Sequence, residues 1–216
     1  MASDMRQIFA KIFLWLFVGL SVTFCVGYVV QGNEPLLNSL FVNGRYMFIW
    51  LIEIVLAIVL SLRIHKMSGP VAILLYILYT AITGLTFSTI FIVYKITSII
   101  FVFGITALTV LLFGLIGYFT KIDLSKIGTF LFMGVIAIII LSVLSIFIDS
   151  VALNYSLIFI SLLIFIVYIA YDVQMIKRRL YSATNETSLA IYGAFQLYLD
   201  FINIFLDLLR IFGKEK

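Results

Sequence analysis

The sequence predicts an all-α membrane protein, a bundle of seven transmembrane helices forming one domain over residues 1–216. Three observations carry that prediction: the composition, the length of the apolar runs, and the placement of the basic residues. Hydrophobic residues make up 64% of the chain and charged residues 11%, against roughly 45–50% and about 25% in a typical soluble domain. So little polar surface cannot cover a fold in water, which makes the bilayer the solvent. A β-barrel is disfavoured because transmembrane strands alternate apolar and polar residues, whereas these apolar runs are continuous. Two prolines are too few for a disordered or fibrous chain.

A helix needs about 20 apolar residues to cross roughly 30 Å of hydrocarbon. Six strong spans meet this, over residues 10–30, 46–62, 70–92, 97–119, 127–148 and 151–176. A seventh, 189–212, is apolar but carries several polar residues. The breaks between them follow turn chemistry. Gln31-Gly-Asn-Glu-Pro35 reads as a turn cluster, and Ser68-Gly-Pro70 restarts a helix with proline in its first turn. Lys121-Ile-Asp-Leu-Ser-Lys126 is a short charged loop. Only Asp149-Ser150 separates spans five and six, which predicts a tight antiparallel hairpin. Thr184-Asn-Glu-Thr-Ser188 supplies capping residues ahead of span seven.

The first apolar run is long and has no clean small-x-small cleavage site, so it is expected to stay as a signal anchor. With the N-terminus inside, the cytoplasmic face carries Arg6, Lys11, Arg63, Lys66, Lys121, Lys126, Lys177, Arg178 and Arg179; the other face carries Arg45 and Lys95. This asymmetry predicts a multi-pass protein, expected in a bacterial plasma membrane, with a cytoplasmic N-terminus and cytoplasmic loops at 63–69, 120–126 and 177–187. The tail departs from the pattern. Seven full spans put Lys214 and Lys216 outside, whereas a re-entrant seventh span keeps them inside; seven full spans is the preferred reading.

Chemistry must then sit within the helices. Cys25 and His65 are the only residues of their kinds, so a disulfide within the chain, a zinc or haem site and a histidine-based triad are all excluded. No cofactor and no nucleic-acid partner is expected, since the basic residues are scattered at span ends. An ionisable residue inside a span costs about 2.5–3.5 kcal/mol on insertion scales and usually faces the bundle interior. Four carboxylates are placed so: Glu53 in span two, Asp172 in span six, and Asp200 and Asp207 in span seven.

Span seven is patterned. Gly193, Gln196, Asp200, Asn203, Asp207 and Arg210 recur at steps of three and four, which is one helix face. A helix with such a stripe belongs at the bundle centre, the stripe facing a hydrated path. The alternative is a helix lying on the membrane surface, but interfacial helices carry lysine and arginine on that face. Asp172 lies one turn before Lys177-Arg-Arg179, so pairing with that cluster is its alternative role. Tyr168, one turn deeper, can donate to the same face. Glu53 is either buried and protonated or paired with another span. Arg63 closes span two, where a topological anchor is the commoner role. If span seven enters the bilayer at Leu189, Asp200 lies about 16 Å in, while Asp172 lies only about 8 Å from Lys177. The two meet only if span seven protrudes into the cytoplasm or tilts.

Tyr171-Asp-Val-Gln174, followed by Gly193-Ala-Phe-Gln-Leu-Tyr-Leu-Asp-Phe-Ile-Asn-Ile-Phe-Leu-Asp-Leu-Leu-Arg-Ile-Phe-Gly213, resembles the signature of the transmembrane BAX inhibitor motif family, in particular its compact bacterial-type members. The resemblance implies a seven-helix fold with the last helix enclosed by the other six, and a pH-sensitive calcium leak. It implies a pH sensor and gate at Asp172 and Asp200, with Arg63 as a latch on that pair. Calcium and protons are then the expected partners, with calcium as a permeant ion held transiently at Asp172 and Asp200, and Glu53, Gln196, Asn203 and Asp207 as pore-lining candidates. Eukaryotic relatives are linked to suppression of cell death, a role that need not extend to so short a chain.

Elementary chemistry agrees. Calcium takes six to eight hard oxygen ligands; two carboxylates with Asn203 and water can guide such an ion without holding it. Two neighbouring carboxyls in a low-dielectric site cannot both ionise easily, which makes the pair a proton sensor. Competing readings are an intramembrane aspartyl protease, a retinal protein, a proton-coupled transporter and a regulatory scaffold. The protease lacks its Gly-x-Gly-Asp context, since Asp200 follows Leu197-Tyr-Leu, and its Pro-Ala-Leu element, since the only prolines are Pro35 and Pro70. A retinal protein needs a lysine in span seven, and Lys214 lies beyond it. The transporter and the scaffold stay open, and the chain is read as a non-enzyme.

Overall fold

The computed structural model describes residues 2–41, 45–148, 150–180 and 185–216, with side chains described from residue 5 onward. The fold is all-α. In chain order the helices are α1 (Ala2–Gln31), α2 (Glu34–Phe41), α3 (Tyr46–Arg63), α4 (Gly69–Val93), α5 (Ile96–Phe119), α6 (Gly128–Ser145), α7 (Val151–Leu180) and α8 (Glu186–Phe212). All but α2 are long and apolar enough to cross a membrane. Helix is the natural form for these segments, because it satisfies every backbone group within the segment when no water is present.

The helix ends follow the turn chemistry closely, with one correction. The Gln31–Pro35 cluster is not simply a turn. Its centre turns at Gly32 and Asn33, and Asn33 then caps α2, Oδ1 accepting from the Leu36 N–H at 3.0 Å. Pro35 sits in the first turn of that helix, where its missing N–H costs nothing. Pro70 opens α4 in the same way. The charged loop after α5 contains a 3₁₀ turn at Leu124–Ile127, capped by Asp123. α6 stops at Ser145 rather than 148 and continues as hydrogen-bonded turns through Ile148. Of the short link to α7, Asp149 lies outside the described residues, and Ser150 Oγ accepts from the Leu153 N–H at 3.3 Å. Thr184 likewise lies outside them; Asn185 caps α8, its Oδ1 accepting from the Ser188 N–H at 3.1 Å.

The helices group into two compact units. The first is Met1–Ile96 with Arg179–Tyr198 and Lys214–Lys216; the second is Thr97–Arg178 with Leu199–Gly213. In the first unit α1 and α4 come backbone to backbone at Gly84, where a Cβ would meet Val26 Cβ at 2.7 Å and the Thr23 carbonyl at 2.9 Å. Small residues allow such approach where lipid offers no hydrophobic drive to pack helices. Tyr76 and Tyr79 of α4 pack edge-to-face on Phe195 and Tyr198 of α8 at 5.2–6.5 Å. In the second unit α5 and α7 meet at Gly117, where a Cβ would strike the Ala170 carbonyl oxygen. Phe103 of α5 packs on Phe201 of α8 at 5.0 Å.

α8 is the most buried of the span helices: 72% of its apolar window is buried, against 6–39% in the other six. Contacts within the first unit also decide whether it crosses fully. At its start, Ser188 Oγ donates to the Met67 carbonyl at 2.7 Å, just before α4 begins. Beyond its end, the Lys214 carbonyl accepts from the Lys95 N–H and the Lys216 N–H donates to the Val93 carbonyl, both at 2.9 Å, at the C-terminal end of α4. α4 has 25 residues, roughly 37 Å of helix. A re-entrant α8 would return the tail to the Met67 end; the tail instead sits at the opposite end of α4, so α8 runs the full length of that helix, as a full crossing requires.

Candidate functional site

The second unit holds the site. α7 brings Asp172 and α8 brings Asp200 into it, with 5% and 3% of their surface exposed. The Asp200 carboxyl faces that of Asp172 within hydrogen-bonding range. Ionised carboxylates only accept hydrogen bonds, so the two can bond to each other only while one of them carries a proton. Asp200 Oδ2 is buried with no hydrogen-bond partner among the described residues. Tyr168, one turn before Asp172, lies near both acids, and its ring stands edge-on to Tyr171 at 5.9 Å.

A polar clamp two residues beyond Asp172 fixes the position of α7. Gln174 Nε2 donates to the Ile122 carbonyl and its Oε1 accepts from the Leu124 N–H, both at 2.8 Å. Lys177 donates to the Tyr118 carbonyl at 2.6 Å and lies over the Tyr118 ring at 4.7 Å. Arg178 pairs with Asp123. Asp123 also accepts from the side chain and backbone of Ser125. The Ser125 bonds and then the Arg178 guanidinium hold its carboxyl down at about 2. Lys177 and Arg178 are thus engaged with the α5–α6 turn, while Asp172 turns inward to Asp200.

The other expected site residues divide between the units. Asp207, 4% exposed, lies in the second unit. Its Oδ1 is 3.8 Å from Arg210, the Ser161 hydroxyl lies beside the carboxyl, and Oδ2 has no hydrogen-bond partner among the described residues. Asn203 bends back on its own helix, Nδ2 donating to the Leu199 carbonyl at 2.7 Å. Gln196 belongs to the first unit, where its Oε1 is buried without a partner among the described residues. Glu53, also in the first unit, pairs with another span: Thr83 Oγ1 of α4 donates to it at 2.8 Å. Arg63 is exposed at the C-terminal end of α3, in the first unit. The structure therefore brings Asp172 and Asp200 together, and sets Asp207 two helical turns further along α8.

The model of the family described as "Inhibitor of apoptosis-promoting Bax1" matches residues 5–216. The chain belongs to this BAX inhibitor family. It is 39% identical over 220 residues to the inner membrane protein YbhL of Escherichia coli strain K12, covering 99% of this chain and 94% of YbhL. A protein of Borreliella burgdorferi is 37% identical over 98% of this chain and 93% of its own length. A membrane protein of Streptococcus pyogenes serotype M1 is 36% identical over 98% and 94%. With its span helices, this BAX inhibitor family chain is a multi-pass integral membrane protein.

Two features of this family member escaped sequence reasoning. One is a chain of hydroxyls in the first unit. The Tyr198 and Thr23 hydroxyls bond at 2.6 Å, and Thr23 donates to the Thr80 carbonyl at 2.8 Å. Tyr76, Tyr79, Thr80, Thr83 and Thr86 recur along α4 at helical spacing, a signal that could have located it. The other is a cavity of about 400 Å³ in the second unit, lined by Ser142, Ser145, Asn154, Ser161, Asp207 and Arg210 over a wall of Ile138, Leu157 and Ile158.

Proposed function

We propose that this BAX inhibitor family protein is a pH-sensitive calcium leak gated by the Asp172–Asp200 pair. The observation that supports it is the facing of two buried carboxyls in an apolar unit. With a proton shared, the pair is closed on itself and carries one negative charge. Without it, two like charges repel in a low-dielectric setting, the helices bearing them are driven apart, and hard oxygen ligands become free for calcium. Two carboxylates are too few to hold calcium tightly, which suits passage rather than storage. The reading keeps Arg63 as the latch, Glu53, Gln196, Asn203 and Asp207 as pore-lining groups, and a cytoplasmic N-terminus in a bacterial plasma membrane. Flux is downhill: the sequence has no Gly-x4-Gly-Lys-Ser/Thr run through which ATP would drive it. No catalytic step is part of the reading.

Purified protein in liposomes tests it. Calcium is expected to pass down its gradient without ATP, with a rate that changes between pH 5 and 8. Protonation removes the charge that attracts calcium and also loosens the latch, so the two effects compete. Proton flux without calcium flux would replace the leak by a proton-coupled transporter. Flux no greater than in empty liposomes would favour a scaffold that acts on other membrane proteins.

A further inference from the structure

We propose that the cavity between the C-terminal end of α6, the start of α7 and the C-terminal end of α8 is a weak binding site for a hard cation, calcium foremost, with Asp207 in its lining and Arg210 as the counter-ion the cation displaces. All of it lies within the second unit. Its polar lining comes from three helices, and apart from Arg210 every polar lining side chain bears oxygen: Ser142, Ser145, Asn154, Ser161 and Asp207. That is the donor set of a hard cation; neither a soft thiolate nor a borderline imidazole is in the lining.

Asp207 is the independent sign of an occupant. It is 96% buried, it lines the cavity, and its Oδ2 has no hydrogen-bond partner among the described residues. A buried carboxylate oxygen without a donor is costly, and a cation entering the cavity relieves that cost. The Ser161 hydroxyl beside the carboxyl leaves Oδ2 unserved, and Arg210 does not relieve the cost fully. Its nitrogen is 3.8 Å from Oδ1, beyond hydrogen-bonding range, and its side chain is 59% exposed. It is a loose counter-ion rather than a lock. One carboxylate with neutral oxygens gives weak binding, on the order of millimolar. The cavity of about 400 Å³ has room for roughly a dozen waters at ~30 Å³ each, so the ion keeps part of its hydration shell. Calcium accepts such a flexible, partly hydrated oxygen shell, whereas magnesium demands a regular octahedron. Asp207 follows Asp200 by seven residues on the same helix face, about 10 Å along the axis, which makes the site a waiting position beside the gate. The choice of calcium rests on the leak reading; the existence of the site does not.

The test uses the full chain in nanodiscs of phosphatidylcholine, with Asp172→Asn/Asp200→Asn as background so that the gate pair does not contribute. Calcium chloride is titrated and the infrared carboxylate bands are read, with magnesium chloride as control. A calcium-dependent band shift is expected at about millimolar concentration, smaller with magnesium and lost on Asp207→Asn. Arg210→Gln, which leaves every buried group in place, is expected to tighten binding by roughly two- to fivefold, the worth of a half-exposed ion pair. A merely structural role for Arg210 would not strengthen binding. A shift that survives Asp207→Asn, or weaker binding in Arg210→Gln, overturns the site. Binding with the expected signs in a protein that passes no calcium would keep the site and discard the leak; flux without such binding would do the reverse.

Discussion

In the first unit the Tyr198 and Thr23 hydroxyls bond to each other and Thr23 hands its own hydrogen bond on to the Thr80 backbone carbonyl, while a separate bond runs from the Thr83 hydroxyl to the Glu53 carboxyl. In the second unit Asp172, Asp200 and Asp207 are buried as acids, and Asp200 and Asp207 each keep an Oδ2 without a hydrogen-bond partner among the described residues. Hydroxyls donate and accept at once, so a neutral chain of them closes without a proton to spare. Carboxylates only accept, and on the proposed reading their demand is met by a proton or a cation. Neutral chains of the first kind hold helices at fixed register. Acids of the second kind carry a cost that persists where it serves a function.

The sharpest way to break this comparison is to neutralise the pair. Asn at position 172 or 200 removes a titrating group at nearly constant volume. Each single change is expected to alter the pH profile of calcium flux. The double change is expected to add little beyond the larger single effect, because coupled sites are not additive. A wild-type profile in Asp172→Asn/Asp200→Asn would remove the sensor role while leaving the leak standing.

A second measurement asks whether the frame around the acids is as tightly set as the contacts imply. At Gly117 a Cβ would strike the Ala170 backbone, whereas at Gly104 it would meet nothing within 4 Å. Gly117→Ala is expected to lower stability by about 1–3 kcal/mol through overpacking. Gly104→Ala is expected to raise it by up to about 1 kcal/mol through helix propensity. Thermal unfolding in detergent compares them, and equal effects at the two sites would refute the close α5–α7 approach.

The seven spans were legible because a bilayer admits few solutions: a long apolar run must be a helix, and its ends fall where Asn33, Pro70 or Asn185 supply caps and turns. The helix α2 was missed because Gln31–Pro35 reads as a turn, although Asn33 followed by Pro35 is equally a helix start. Asp172 and Asp200 stood out because an acid in an apolar run is rare. Thr23 and Thr83 did not, since a threonine hydroxyl in a membrane helix can always bond its own backbone, as Thr106 does with Val102 at 2.9 Å, and Tyr198 did not, since a tyrosine in a span reads equally as an interfacial anchor. Which hydroxyls instead reach a neighbour depends on helix rotation, and that is a tertiary fact. The same holds for the cavity at Asp207, whose walls come from three separate spans.

A smaller effect is expected from the hydroxyl chain itself. Tyr198→Phe removes the bond to Thr23 but leaves Thr23 its bond to the Thr80 carbonyl, so no donor is stranded. A loss of about 0.5–1.5 kcal/mol is expected, with the pH profile of flux unchanged. A shifted profile in Tyr198→Phe would mean that the hydroxyl chain is coupled to the acids, and the contrast between the two kinds of burial would no longer hold.

The smallest effect concerns an acid that is paired but exposed. Asp123 is held down at about 2 by Ser125 and Arg178, below the roughly 3.9 of an unfolded aspartate. A carboxyl depressed on folding stabilises the fold above its unfolded value, and that contribution disappears as pH falls through the folded one. From pH 5 to 8 Asp123 is ionised in both states, so its contribution there is constant, and at an exposed site it is also weakened by salt. Asp123→Asn is therefore expected to lower the unfolding temperature slightly and equally at pH 5 and pH 8. The difference from wild type should fade only below about pH 4, and the pH profile of flux should keep its shape. A profile altered between pH 5 and 8 would assign the response to the clamp at the end of α7 rather than to the buried pair, since Asp123 does not titrate in that window and could act only by moving Asp172.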